Sequence, residues 1–279
     1  VQTCALPIYG HQRLMRKPGN TVAFYRRADG ALTGFRAEGH TGYAEAGADI
    51  AIVDVIDMSE TAEKVKALGR KVLCVKADLA KGEKESPKIV AKTVKALGRV
   101  DILVNNAGII RREPFVEHSA KNWNDVISIN LSTPFFLSQA AARQMIAQGE
   151  AAGPRSIVIT TSEGSFTQDP PSGAYITSKW AERGLMRSLS RTLAPHGITV
   201  NGVGPGSVYT ALHKYVNERF AEMNGMDLDK ATQLFAKVRP VRGYQPAEEV
   251  AACYSYLLSD AARCVSGVTL MDNGGHVMA

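Results

Sequence analysis

From residue 48 onward, short apolar, β-branched runs alternate with longer stretches of helical period, and this alternation restricts the fold more than any other feature. The runs are DIAIVDV, KVLCVKAD, VDILVNNAG, SIVITTS, ITVNGVGPG and VSGVTLMDNGG. Between them lie SETAEKVKALG, SPKIVAKTVKALG, an amphipathic stretch from Trp123 to about Gly149, and a helical pattern through 174–194. Strands separated by helices of this length join through right-handed crossovers into a parallel sheet. The runs are almost continuously apolar, as strands covered by helices on both faces require. The expectation is an α/β protein with a doubly wound parallel sheet and helices on both faces. NTVAFY, ending at Tyr25, supplies a first strand.

Composition narrows the choice. A chain of 279 residues with 45% hydrophobic content can bury one large core, so a single domain over 21–279 is expected. No run approaches the ~18 apolar residues of a membrane span, and no signal peptide is visible, so no membrane partner is expected. The net charge of +6 is spread along the chain and partly matched by acids, which does not indicate a nucleic-acid partner. Cys4, Cys74, Cys253 and Cys264 lie far apart with no CxxC pair. That argues against a zinc site or disulfide framework and suits a reducing cytoplasm, with the thiols isolated and buried or half-buried.

Open parallel sheets bind ligands beyond the carboxyl ends of their strands. Asp54 ends AIVD; a carboxylate there can accept from the adenosine ribose hydroxyls of NAD and would repel the 2′-phosphate of NADP, although a solvated Asp after a strand is also ordinary. VNNAG, 104–108, brings two side-chain amides and an approachable glycine backbone to the next strand end. Ser162 ends SIVITTS, and Tyr175 and Lys179 lie four apart on one helical face. A lone Tyr-x-x-x-Lys is weak, since chance produces it often.

The ordered set is specific. Asn105-Asn106-Ala107-Gly108, Asn130 in SINLS, Ser162 thirteen residues before Tyr175, Lys179, and PGSVYT at 205–210 each fall at the required structural position. Over about residues 42–279 the chain resembles the short-chain dehydrogenase/reductase family. The resemblance implies a Rossmann-type fold, NAD more readily than NADP, and Asn130, Ser162, Tyr175 and Lys179 as the catalytic set. Tyr175 would exchange the alcohol proton, its phenol stabilised as phenolate by Lys179, and Lys179 would also hold the nicotinamide ribose. Ser162 would bond the substrate oxygen, and Asn130 would hold a water in a relay to Lys179. Asp78 and Leu79 would flank the adenine; Asn106, Ala107, Gly108, Pro205, Gly206 and Val208 would line the cofactor, Val208 at its carboxamide. Ser165 either faces substrate or caps a turn, and Trp123 and Trp180 are expected in the core or at a subunit interface.

The stretch from NNAGII to RQMIAQG is most similar to sugar-acid and polyol members, so a polyol, sugar or sugar acid is the expected substrate. Arg111 or Arg112 would meet its carboxylate or hydroxyls, unless they are solvated loop arginines. The segment of about 207–245, the substrate lid in the family, departs from those members toward sorbitol- and butanediol-type relatives. The alternatives are a 3-oxoacyl-thioester reductase and a cofactor-impaired, inactive Rossmann module. The C-terminal VSGVTLMDNGG resembles an ending that often helps build an interface, implying a homo-oligomer, a tetramer or dimer.

The start departs from the family. Aligned backward from YAEAGAD, the phosphate-loop pattern Thr-Gly-x-x-x-Gly-x-Gly falls on Asp29, Gly30, Gly34 and Arg36, so its first and last residues are lost. VQTCALPI matches the translation of a common sequencing-library adapter, and Tyr25-Arg26-Arg27 match codons for Val-Thr-Gly-Gly read two bases late. Residues 1–20 are accordingly expected to be an irregular, artefactual extension, and the first βα unit degraded over about 25–40.

Overall fold

The computed structural model describes residues 21–25, 43–44, 47–55, 57–149, 153–208, 210–237, 240–241 and 243–278. The altered phosphate loop and the N-terminal extension lie outside these residues. Seven strands form one sheet: β1 (Thr21–Tyr25), β2 (Asp49–Asp54), β3 (Val72–Lys76), β4 (Ile102–Asn105), β5 (Arg155–Thr160), β6 (Ile198–Pro205) and β7 (Thr269–Asp272). Their spatial order is β3-β2-β1-β4-β5-β6-β7, and every pairing is parallel. The chain winds outward from β1 to β3, then returns to lay β4 on the other side of β1. The winding reverses at the carboxyl ends of β1 and β4, the place where an open parallel sheet of this kind puts its ligand cleft. β1 takes its place in register, Thr21 opposite Asp49 and Val22 opposite Ile102.

β2, β4 and β5 each feed two cores with a period of two, which is why their runs read as continuous apolar stretches. Ala51, Val53, Leu103, Ile157 and Ile159 face one way, while Ile50, Ile52, Ile102, Val104 and Val158 face the other. The helices are α1 (Ser59–Ala67), α2 (Gly82–Leu97), α3 (Ala120–Ile127), α4 (Thr133–Ala147), α5 (Gly173–Leu193), α6 (Ala211–Met223), α7 (Leu228–Lys237) and α8 (Ala247–Leu258). From α4 and α5, Leu137, Met145 and Met186 pack on the first face; α1 and α8 place Val65, Val250 and Leu257 on the second. Among the described residues no helix is long and apolar enough to cross a membrane.

Two local departures from the periodic expectation matter. The stretch from Trp123 is not one α-helix, because residues Ser128–Ser132 between α3 and α4 form a wide π turn. The helix expected from SPKIV starts a turn earlier, at Gly82, so Pro87 lies inside it. Ser86 Oγ donates to Gly82 O at 2.6 Å in that turn. Of the described thiols, Cys74 and Cys264 are exposed rather than buried, and Cys253 is partly buried; all three are free.

The start of α2 touches the start of α4 backbone to backbone. A Cβ at Gly82 would lie 2.2 Å from Thr133 Oγ1 and 2.7 Å from Thr133 Cα. Thr133 cannot swing aside freely, since its hydroxyl bonds the carbonyls of Leu79 and Ser128. Gly82→Ala should therefore lower the unfolding free energy by roughly 1–3 kcal/mol, the usual cost of overpacking, measured as a urea midpoint at unchanged m-value.

Candidate active site

β5 ends at Thr160, and the chain passes Thr161 to Ser162, which is extended (φ −168°) and begins a short 3-10 turn, Glu163–Ser165. Ser162 Oγ accepts from Gly164 N at 3.1 Å, which fixes the side chain at the strand mouth. α5 then crosses beneath with Tyr175, Ser178, Lys179 and Glu182 along one face, at the three- and four-residue spacing of a helix. Ser162 lies close enough to the Tyr175 hydroxyl to draw its pKa down. Lys179 Nζ lies 5.6 Å from the centre of the Tyr175 ring. Its ammonium donates to Thr160 O at 2.8 Å and to Glu182 at 3.0 Å.

Asn130 sits at the middle of the π turn, where the widened backbone turns its side chain inward. Its Oδ1 accepts from Ile109 N at 2.8 Å, and its Nδ2 donates to Ile109 O at 2.9 Å and to Ser178 Oγ at 3.0 Å. Asn130 thus clamps the segment after β4 to α5, and it is fully buried. Gly108 makes room beside it: a Cβ there would point at Lys179 Nζ, 3.6 Å away, and at Asn130 Oδ1, 3.5 Å away.

Gly108, Ser162, Tyr175 and Lys179 line one cavity of about 310 Å³, together with Asn106, Pro205, Gly206 and Val208 from the ends of β4 and β6, whereas Asn130 lies behind its wall. Leu212, His213, Val216 and Phe235 from α6 and α7 form its outer wall. Beneath the cavity Thr160 Oγ1 donates to Asn106 Oδ1 at 2.9 Å and meets the hydroxyl of Tyr254, on α8, at 2.7 Å. Asp54 is buried at the end of β2, its Oδ1 accepting from Val55 N at 2.7 Å, so it is not the solvated carboxylate of the ordinary case. Asp78 accepts from Ala80 N at 3.0 Å and Leu79 is buried in the turn it caps, both beside β3.

The electrostatics differ from expectation at Tyr175. Burial pushes the phenol above its usual pKa, outweighing the opposing pull of the Lys179 ammonium and of Ser162, while Glu182 and Glu163 push it further up. Glu182, which the sequence reading passed over, is buried against Lys179, and burial raises its carboxyl to about 7.

Arg112 is neither a solvated loop residue nor an open carboxylate receptor. It is buried on the cavity wall and grips Asp169 through both terminal nitrogens, at 2.8 and 3.1 Å. Arg111 instead donates to Ile110 O at 3.2 Å. Ser165 does not line the cavity; it is buried with its hydroxyl on Lys179 O at 2.8 Å. Trp123 and Trp180 are exposed rather than in the core, Trp180 Nε1 donating to Thr167 O at 3.2 Å. Sequence pattern missed Glu182, Asp169, Tyr254 and His213; the one available signal was Glu182, an acid three residues after Lys179 on an otherwise inward face.

The fold and this cavity are those of a short-chain dehydrogenase. The family model described as short chain dehydrogenase matches residues 29–221, well over half of the sequence, and the chain belongs to that family. Among curated proteins it is 36% identical over 246 residues to the 2-dehydro-3-deoxy-D-gluconate 5-dehydrogenase of Dickeya dadantii, covering 88% of this chain and 92% of that one. Carveol dehydrogenase from Mycobacterium avium, solved in complex with NAD, superposes with a TM-score of 0.83 at 26% identity, over 94% of this chain and 99% of that chain. An Agrobacterium tumefaciens protein assigned as a 2-deoxy-D-gluconate 3-dehydrogenase, solved with NADP, gives 0.77 at 27% identity over 93% and 96%. The chain is an oxidoreductase of this family.

The Arg112–Asp169 pair generates a stability test. Asp169→Ala strands a buried guanidinium, and should cost roughly 3 kcal/mol or more in urea unfolding. Arg112→Met added to it should recover much of that loss, because no uncompensated charge then remains.

Proposed function

We propose that the chain transfers a hydride between NAD(H) and a secondary alcohol or ketone carbon of a sugar acid, sugar or polyol, with Tyr175 as the acid–base group. The observation that carries this is the convergence of Tyr175, Ser162 and Lys179 on one cavity at the carboxyl ends of β4, β5 and β6. When bound, the cofactor supplies or accepts the hydride. The lining suits its nicotinamide half: an ammonium and an amide for the ribose and ring, and the approachable backbone of Gly108 between them. Asn106, Ala107, Gly108, Pro205, Gly206 and Val208 would hold that half, and Asp78 and Leu79 the adenine. Asp54, its carboxylate buried at the end of β2, would accept from the ribose hydroxyls and repel a 2′-phosphate.

In oxidation the substrate hydroxyl sits between Ser162 and Tyr175. Ser162 holds the oxygen, and Tyr175 as phenolate takes its proton while the carbon loses hydride. Lys179 stabilises the phenolate electrostatically, and reduction runs the same transfers backward. Asn130 keeps the floor of the site in place through Ile109 and Ser178. The outer wall from α6 and α7 acts as the substrate lid. The sugar-acid class is supported by the likeness to the Dickeya enzyme and by the cavity wall of Thr167, Gln168, Asp169 and Thr210, which offers hydroxyl partners. Arg112, neutralised by Asp169, would orient a substrate carboxylate only by sharing its ion pair.

Three measurements test this reading. Tyr175→Phe should lower kcat by roughly 10²–10⁴-fold with little change in cofactor Kd, and Ser162→Ala should do so to a smaller extent. Substrate preference is read from a panel of polyols, sugar acids and an oxoacyl thioester. Rapid turnover of the thioester alone would overturn the substrate class. Asp54→Ser should narrow the kcat/KM preference for NAD over NADP, and a chain that prefers NADP from the outset would overturn the cofactor assignment.

A further inference from the structure

We propose that Glu182 is a positioning residue that holds the Lys179 ammonium away from Tyr175 and sets the charge under which Tyr175 ionises. This rests on Tyr175 being the acid–base group. Two of the three ammonium protons are placed, on Thr160 O at 2.8 Å and on Glu182 Oε1 at 3.0 Å, while Glu182 Oε2 lies in ion-pair contact at 2.8 Å without accepting a hydrogen bond. The side chains are 5% and 1% exposed. An exposed pair at this helical spacing would contribute little, but one withdrawn from water interacts strongly and cannot be screened. Lys179 can therefore offer a cofactor ribose its third donor, but to move nearer Tyr175 it must pull away from a buried carboxylate.

The same carboxylate acts on the phenol. Glu182 balances the charge of Lys179 and also raises Tyr175 directly, so the stabilisation that Lys179 offers a phenolate is partly cancelled while Glu182 is ionised. Because burial lifts Glu182 to about 7, this cancellation is complete only above neutrality. The other groups facing the pair are accounted for. Glu163, on the turn after β5, also raises Tyr175, and its Oε2 lies 3.1 Å from His276 Nδ1. Tyr254, from α8, is held neutral by burial, with Cys253 and the β7 residue Asp272 adding to the effect.

The test is a tyrosinate absorbance titration, with Tyr175→Phe subtracting the remaining tyrosines, so no substrate is needed. Glu182→Gln should lower the Tyr175 midpoint by about one pH unit, the effect of removing one nearby like charge. Glu182→Asp, which keeps the charge but withdraws it by a methylene, should move it the same way by less, and serves alone if the Gln variant does not fold. A midpoint that neither variant moves overturns the proposal. Turnover separates the two levels. If Tyr175→Phe retains activity, the acid–base reading itself fails. If Tyr175→Phe is inactive while the midpoint stays unmoved in Glu182→Gln, only the role of Glu182 fails.

Discussion

The carbonyl of Thr160 is the point on which the rest of the site depends. It is the last strand carbonyl of β5, at an edge where sheet ladders run out of partners, and the Lys179 ammonium satisfies it at 2.8 Å. That bond ties α5, already packed on the sheet through Met186 and Leu193, to the strand end at the level of Tyr175 and Ser178. Ser178 in turn receives Asn130, so the segment after β4 is referenced to the same strand end. The chemistry is thus built on a backbone group whose need for a partner is structural.

The opposite end of the sheet uses charge differently. Arg155 opens β5, buried, and its guanidinium donates to the carbonyls of Met145, Gly149 and His196 where α4 and α5 finish. Those are helix-terminal acceptors without intrahelical donors, favourably met by a cation. One strand therefore carries a structural cation at its start and faces a reactive one at its end. Only the second lines the cavity.

Much of this was legible in sequence because two-sided burial leaves a plain record. The runs around Ile52, Leu103, Ile157 and Val200 could be nothing but central strands, and strand ends then pointed to Asp54, Asn106 and Ser162. Tyr175 and Lys179 were legible because four residues is one helical turn. What was hidden depended on pairing across distance or on the dielectric. Arg112 and Asp169 are 57 residues apart, so nothing local shows that Arg112 is neutralised. Glu182 looks like any solvated acid of an i,i+3 pair until its burial is known, and burial is also what opposes the lowering of Tyr175 by Lys179. The π turn at Ser128–Ser132 has no composition signature, so a continuous α-helix was the natural reading.

That turn makes the chain's numbering itself a structural element. An α-helix advances about 100° per residue, and the wide turn absorbs one residue more than a regular helix would. Removing one residue there would restore ordinary winding and leave the helices on either side in nearly the same orientation. What would be lost is the inward turn of Asn130, whose amide holds Ile109 and Ser178. The extra residue is therefore held for where it aims one side chain, not for the two helices it joins.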